Sequence, residues 1–130
     1  MIQPALETPR SPRVFASYGP RVVRWAKRRL GITLGPWQEY AVERMLEADS
    51  EGQLLARQVL LSVARQNGKS VIVRALVGWL MDEGYQLPAF QGWDFVLLAA
   101  HDANQARIPY DFIRRDVMAY RDLSGWGHGA

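Results

Sequence analysis

The sequence predicts an α/β chain in which parallel strands and flanking helices surround a phosphate-binding loop, preceded by a helical N-terminal segment. Three observations predict it. The apolar run Val59-Leu60-Leu61-Ser62-Val63-Ala64 leads into Gly68-Lys69-Ser70 and then into a helix-length stretch, Val71 to Met81, closed by Asp82-Glu83-Gly84. A second run, Asp94 to Ala100, follows one helix later, as a parallel strand after a right-handed crossover would. The composition, 48% hydrophobic and 11% aromatic over 130 residues, is enough for one buried core and argues against disorder.

Taken in order, residues 1–19 read as an extended arm punctuated by Pro4, Pro9 and Pro12. Pro20 to Leu30 reads as a helix: Pro20 suits a first turn, Val22, Val23, Ala26 and Leu30 share one stripe, and Gly31 ends it. This region is strongly basic, with Arg10, Arg13, Arg21, Arg24, Lys27, Arg28 and Arg29 against the single acid Glu7. Arg21, Arg24 and Arg28 fall on one face, which suits either DNA phosphates or plain solvation. A second helix is expected from Pro36 to about Ala48, with Trp37, Tyr40, Ala41, Met45 and Ala48 as its stripe and Gln38 off it. A polar loop, Asp49 to Gln53, then leads to a strand from about Gln58 to Ala64. After the loop and its helix comes a Gly/Pro/aromatic connection, Tyr85 to Trp93, and then the second strand. Asp102 and Gln105 resemble a capping box for a last helix through about Tyr120, which Pro109 should kink.

The loop carries the chemistry. Glycine lets the backbone approach an anion, successive N–H groups can cradle phosphates, Lys69 can reach the terminal phosphates, and the Ser70 hydroxyl can ligate Mg²⁺. The general pattern places another Gly five residues before Gly68, where this chain has Val63.

The residues that replace that pattern are distinctive. Ala64-Arg65-Gln66-Asn67-Gly68-Lys69-Ser70 resembles the variant loop of large terminase subunits, the DNA-packaging motors of tailed bacteriophages, which often lack the first Gly and carry Arg-Gln ahead of Gly-Lys-Ser/Thr. Leu34-Gly35-Pro36-Trp37-Gln38 is similar to that family's adenine-recognition segment, and Val96 to Ala106 to the strand and helix start that follow its loop helix. The resemblance spans about residues 30 to 120. It implies a helicase- or terminase-like P-loop NTPase fold, with residues 20–130 as the N-terminal part of an ATPase domain, and ATP with Mg²⁺ as cofactors. Gln38, Arg65, Gln66, Asn67, Gly68, Lys69 and Ser70 would hold the nucleotide, and Ser70 the metal. Arg65 would also stabilise the transition state, against the alternative of a salt bridge at the strand end. The implied partners are double-stranded DNA, a small terminase subunit, a portal protein and further copies of the motor, in the host cytoplasm at the procapsid. Another helicase-like P-loop motor, or a non-hydrolysing nucleotide- or DNA-binding module, stays open beside this reading.

Several chemistries are excluded or disfavoured. The absence of Cys removes disulfides, thiolate metal sites and a Cys nucleophile, and His101 and His128 lack metal-ligand spacing. No secretory signal or membrane span is readable. Leu76 to Glu83 imitates the apolar-run-plus-Asp-Glu pattern with which ATPases hold Mg²⁺. Asp82, however, should end the helix that Lys69 begins, about 20 Å away at 1.5 Å per residue, so the acidic pair reads as a solvated helix end. Without a strand-borne Asp-Glu pair or the family's nuclease cluster, the chain is expected to bind ATP and not to turn it over alone.

Overall fold

Pro20 in the first turn of a helix, Gly31 at φ 67° closing its last, and Pro36 at the start of the next frame the N-terminal half. A computed structural model of the chain describes residues 4, 6–63, 68–91 and 103–120. In order these form β1 (Ala16–Ser17), α1 (Gly19–Trp25) continuing as one π-helical turn (Ala26–Leu30), α2 (Pro36–Met45), β2 (Glu47–Ala48), α3 (Lys69–Asp82), two short 3₁₀ turns (Gly84–Gln86, Pro88–Phe90) and α4 (Ala103–Tyr120).

The core lies among α1, α2 and α3. Val22, Trp25 and Ala26 of the first helix, Val42 and Leu46 at the end of α2, and Ile72, Ala75 and Trp79 of α3 are buried together with Leu34 and Phe90. Ile72, Ala75 and Trp79 recur at helical spacing and bury one face of α3 in this cluster, while α3 also packs along α4. Phe90 folds back across the end of α3, edge-on to Trp79 at 5.5 Å and to Tyr18 at 5.7 Å between ring centroids.

The expected parallel α/β fold is not what the described residues adopt. They are mostly helical, and the one sheet among them is a two-residue antiparallel pair, β1 with β2, in the register Ala16↔Ala48 and Ser17↔Glu47. The predicted strand Gln58 to Ala64 is irregular over residues 58–63, with Leu60 93% and Val59 51% exposed. A strand is stabilised by cross-strand pairs; residues 58–63 pair with no other strand among the described residues, and the buried cluster is built chiefly by three helices. The second predicted strand, residues 94–100, lies outside the described residues.

The helical expectations fared differently. The loop helix predicted over Val71 to Met81 runs from Lys69 to Asp82. The first predicted helix is present and ends at Gly31, and its last turn is π-helical. The second stops at Met45, because residues 47 and 48 pair with the arm instead. The last helix runs on through position 109.

The N-terminal arm is held along α2 from Glu7 onward. Arg44 donates to Glu7 (2.9 Å) and to the Thr8 carbonyl (2.7 Å), Arg10 pairs with Glu47 (3.2 Å), and Arg13 with Asp49 (3.6 Å). α4 is tied to α3 by a two-pronged bond in which Arg74 Nε and Nη2 donate to Asp116 at 2.5 and 2.7 Å. That bond raises the Arg74 pKa above its ordinary value. No helix of the described residues is long and apolar enough to cross a membrane.

Candidate functional site

Gly68 is the hinge of the expected site. It adopts φ 90° and ψ 17°, a left-handed conformation that side chains beyond glycine rarely take, and α3 begins at the next residue. Lys69 and Ser70 form the first turn and are exposed. This end of α3 carries no acidic residue. Helices favour carboxylates at their N-terminus, where the backbone dipole is worth about half a positive charge, so a lysine there works against helix stability. The first-turn N–H groups and the Lys69 ammonium together present a concentrated positive end to solvent, which an oxyanion would complement.

Gln38 arrives from a different element. As the third residue of α2, its Oε1 accepts from the Gly35 N–H at 2.8 Å, and its Nε2 donates to the Gly68 carbonyl at 3.1 Å. The first contact is one arm of a capping box, which satisfies an N–H that the helix cannot. The second joins residues 30 apart in sequence and brings the start of α2 against the start of α3. The contact is close: a Cβ on Gly68 would lie 2.5 Å from Gln38 Nε2 and 3.7 Å from the Trp37 ring.

Of the expected nucleotide-binding residues, Gln38, Gly68, Lys69 and Ser70 are thus at one place, while Arg65, Gln66 and Asn67 lie outside the described residues. Asp82 and Glu83 stand at the far end of α3 from Lys69, as the helix-length argument required. Asp82 is nonetheless not a solvated acid. It accepts from Trp25 Nε1 at 2.8 Å, lies 3.6 Å from Arg29, and its side chain is only 12% exposed, while Glu83 pairs with Arg28. Among the described residues no cluster of three or more acidic or His side chains could hold a metal ion.

Three features escaped sequence reading: the Gln38–Gly68 bond, the Trp25–Asp82 bond and the Arg74–Asp116 clamp. The capping pattern of Gly35 and Gln38 was a readable signal for the first half of the Gln38 geometry. The other contacts join distant segments and leave no local trace. A shallow hollow lined by Phe15, Tyr18, Arg21, Asp49 and Gly52 contains none of the expected site residues, and its open shape gives a ligand little to grip.

Comparison with protein-family models, with curated proteins and with solved structures finds no match for this chain.

Proposed function

We propose that the chain binds Mg·ATP at the start of α3, as the nucleotide-binding portion of a large-terminase motor that packages double-stranded DNA into phage procapsids. The observation that supports this most is the Gln38–Gly68 bond, which joins the start of α2 to the turn expected to hold the phosphates. Lys69 neutralises terminal phosphate charge in this reading. Ser70 supplies one hydroxyl to a Mg²⁺ held otherwise by phosphate oxygens and water, a division that suits magnesium's reluctance to shed its waters. The motor, its DNA substrate, and its small-subunit and portal partners follow from the resemblance in the residues around the loop.

A second reading has an observation of its own. The described residues form a helical core and no parallel sheet, which suits a nucleotide- or DNA-binding module that does not hydrolyse ATP. Hydrolysis stimulated by double-stranded DNA favours the motor; binding without turnover is expected of this chain alone in both readings and separates neither.

The motor and the module in its nucleotide-binding form both need the phosphate contact. Lys69→Ala removes a charge-assisted bond worth about 1.5–3 kcal/mol, so Mg·ATP affinity should fall about tenfold or more by calorimetric titration. Equal affinities in the two proteins would remove the basis for both.

A further inference from the structure

The Gln38 side chain has both ends of its amide engaged, and the partners settle which end is which. The Gly35 N–H can only donate and the Gly68 carbonyl can only accept, so Oε1 faces α2 and Nε2 faces the turn. The bond to Gly68 also does more than join two helices. A peptide unit is planar and trans, so its C=O and the following N–H point in opposite directions. Holding the Gly68 carbonyl toward Gln38 therefore aims the Lys69 N–H away from α2, on the side where an anion would meet the start of α3. Gly68 needs such a constraint, because glycine populates many conformations at little cost and has no side chain with which to restrict them. From this geometry we propose that Gln38 is a positioning residue for the phosphates. It orients the Gly68–Lys69 peptide, and its effect on nucleotide binding does not depend on the base. The inference rests on the phosphate-binding reading of Gly68, Lys69 and Ser70.

The test uses inorganic tripolyphosphate with Mg²⁺, which has the phosphates and no base, beside ATP and GTP. Calorimetric titration compares wild type, Gln38→Ala and Lys69→Ala. Gln38→Ala removes the bonds to Gly35 and Gly68; loss of the second, a neutral bond, should weaken all three ligands by about fivefold, and by the same factor. A loss confined to ATP would overturn the proposal in favour of base reading. An unchanged tripolyphosphate affinity in Gln38→Ala, with Lys69→Ala still weakened, would overturn it while leaving the phosphate site standing. Wild type that fails to bind tripolyphosphate would overturn both. Amide NMR of Gln38→Glu supplies a signature that loss of stability alone would not produce. Its carboxylate keeps an acceptor for the Gly35 N–H and loses the donor to Gly68, so the Lys69 amide signal should move while that of Gly35 stays near its place. A Lys69 signal that does not move would show that the bond does not orient this peptide.

Discussion

Gly78 sits on α3 where any side chain would meet the ring of Trp25, since a Cβ there would lie 2.4 Å from Cη2 and 2.9 Å from Cζ3. Trp25 is fully buried and its Nε1 is bonded to Asp82, so the ring has no free direction in which to retreat. Two effects of Gly78→Ala oppose each other. Alanine is the better helix former by about 1 kcal/mol, while overpacking a close-packed core costs about 1–3 kcal/mol. Because the ring is held, the clash belongs at the upper end of that range, so we expect Gly78→Ala to lose about 1–2 kcal/mol net, read as a lower midpoint in urea unfolding. A midpoint equal to wild type or above it would mean that Trp25 is not locked against α3. The Trp25–Gly78 packing also marks where sequence reading stops at the level of single residues. Val22, Val23, Ala26 and Leu30 make a stripe by periodicity, and that stripe passes over Trp25, whose large ring reaches α3 from its edge. Gln38 was partly legible, because a Gln at the third helical position is a local capping signal, but its second bond depends on a turn 30 residues away.

At the level of elements, α1 and the π turn after it sort the basic residues into two groups. Arg28 pairs with Glu83 and Arg29 with Asp82, so both lie against the C-terminal end of α3, where cations suit the dipole. Arg24 and Lys27 are exposed and take part in no ion pair among the described residues, and Arg21 lies over the Tyr18 ring at 5.7 Å. A face that binds DNA phosphates would therefore be drawn from Arg21, Arg24 and Lys27 more than from Arg28. Removing one phosphate-binding cation should reduce the slope of log affinity against log salt by about one. Fluorescence anisotropy across a salt series should show that reduction for Arg24→Ala and a smaller one for Arg28→Ala, whose charge Glu83 already offsets. Equal slopes in both variants and wild type would return the helix to the solvated surface. Helices were legible because their signals are local: prolines at the starts of α1 and α2, Gly31 after the π turn, and an apolar period along α3. The strand was not. Val59 to Val63 has strand composition, yet composition reports only that these residues would suit a sheet, and a sheet requires a partner at another place in the chain.

The whole molecule joins these parts through one core, and this decides how it should respond to a ligand. Gln38 stands on α2 and Lys69 on α3, while Val42 and Ile72 from the same two helices are buried in the cluster that holds Trp25 and Trp79. A ligand gripping the start of α3 therefore binds the folded chain and loses its site when the core opens. Binding to the native state alone stabilises it by about 2.7 kcal/mol at a ligand concentration of 100 Kd. For a domain of this size that corresponds to a rise in Tm on the order of 10 °C. If Lys69→Ala weakens binding tenfold, the same concentration becomes about 10 Kd and the stabilisation falls to about 1.4 kcal/mol, roughly half. Differential scanning calorimetry with Mg·ATP should thus show a large shift for wild type and about half of it for Lys69→Ala. Raising the ligand tenfold should restore the full shift in the variant, because the deficit is one of affinity and not of folding. A wild-type Tm indifferent to saturating Mg·ATP would show that the start of α3 is not a nucleotide site. A shift of equal size in both proteins would place the nucleotide away from Lys69.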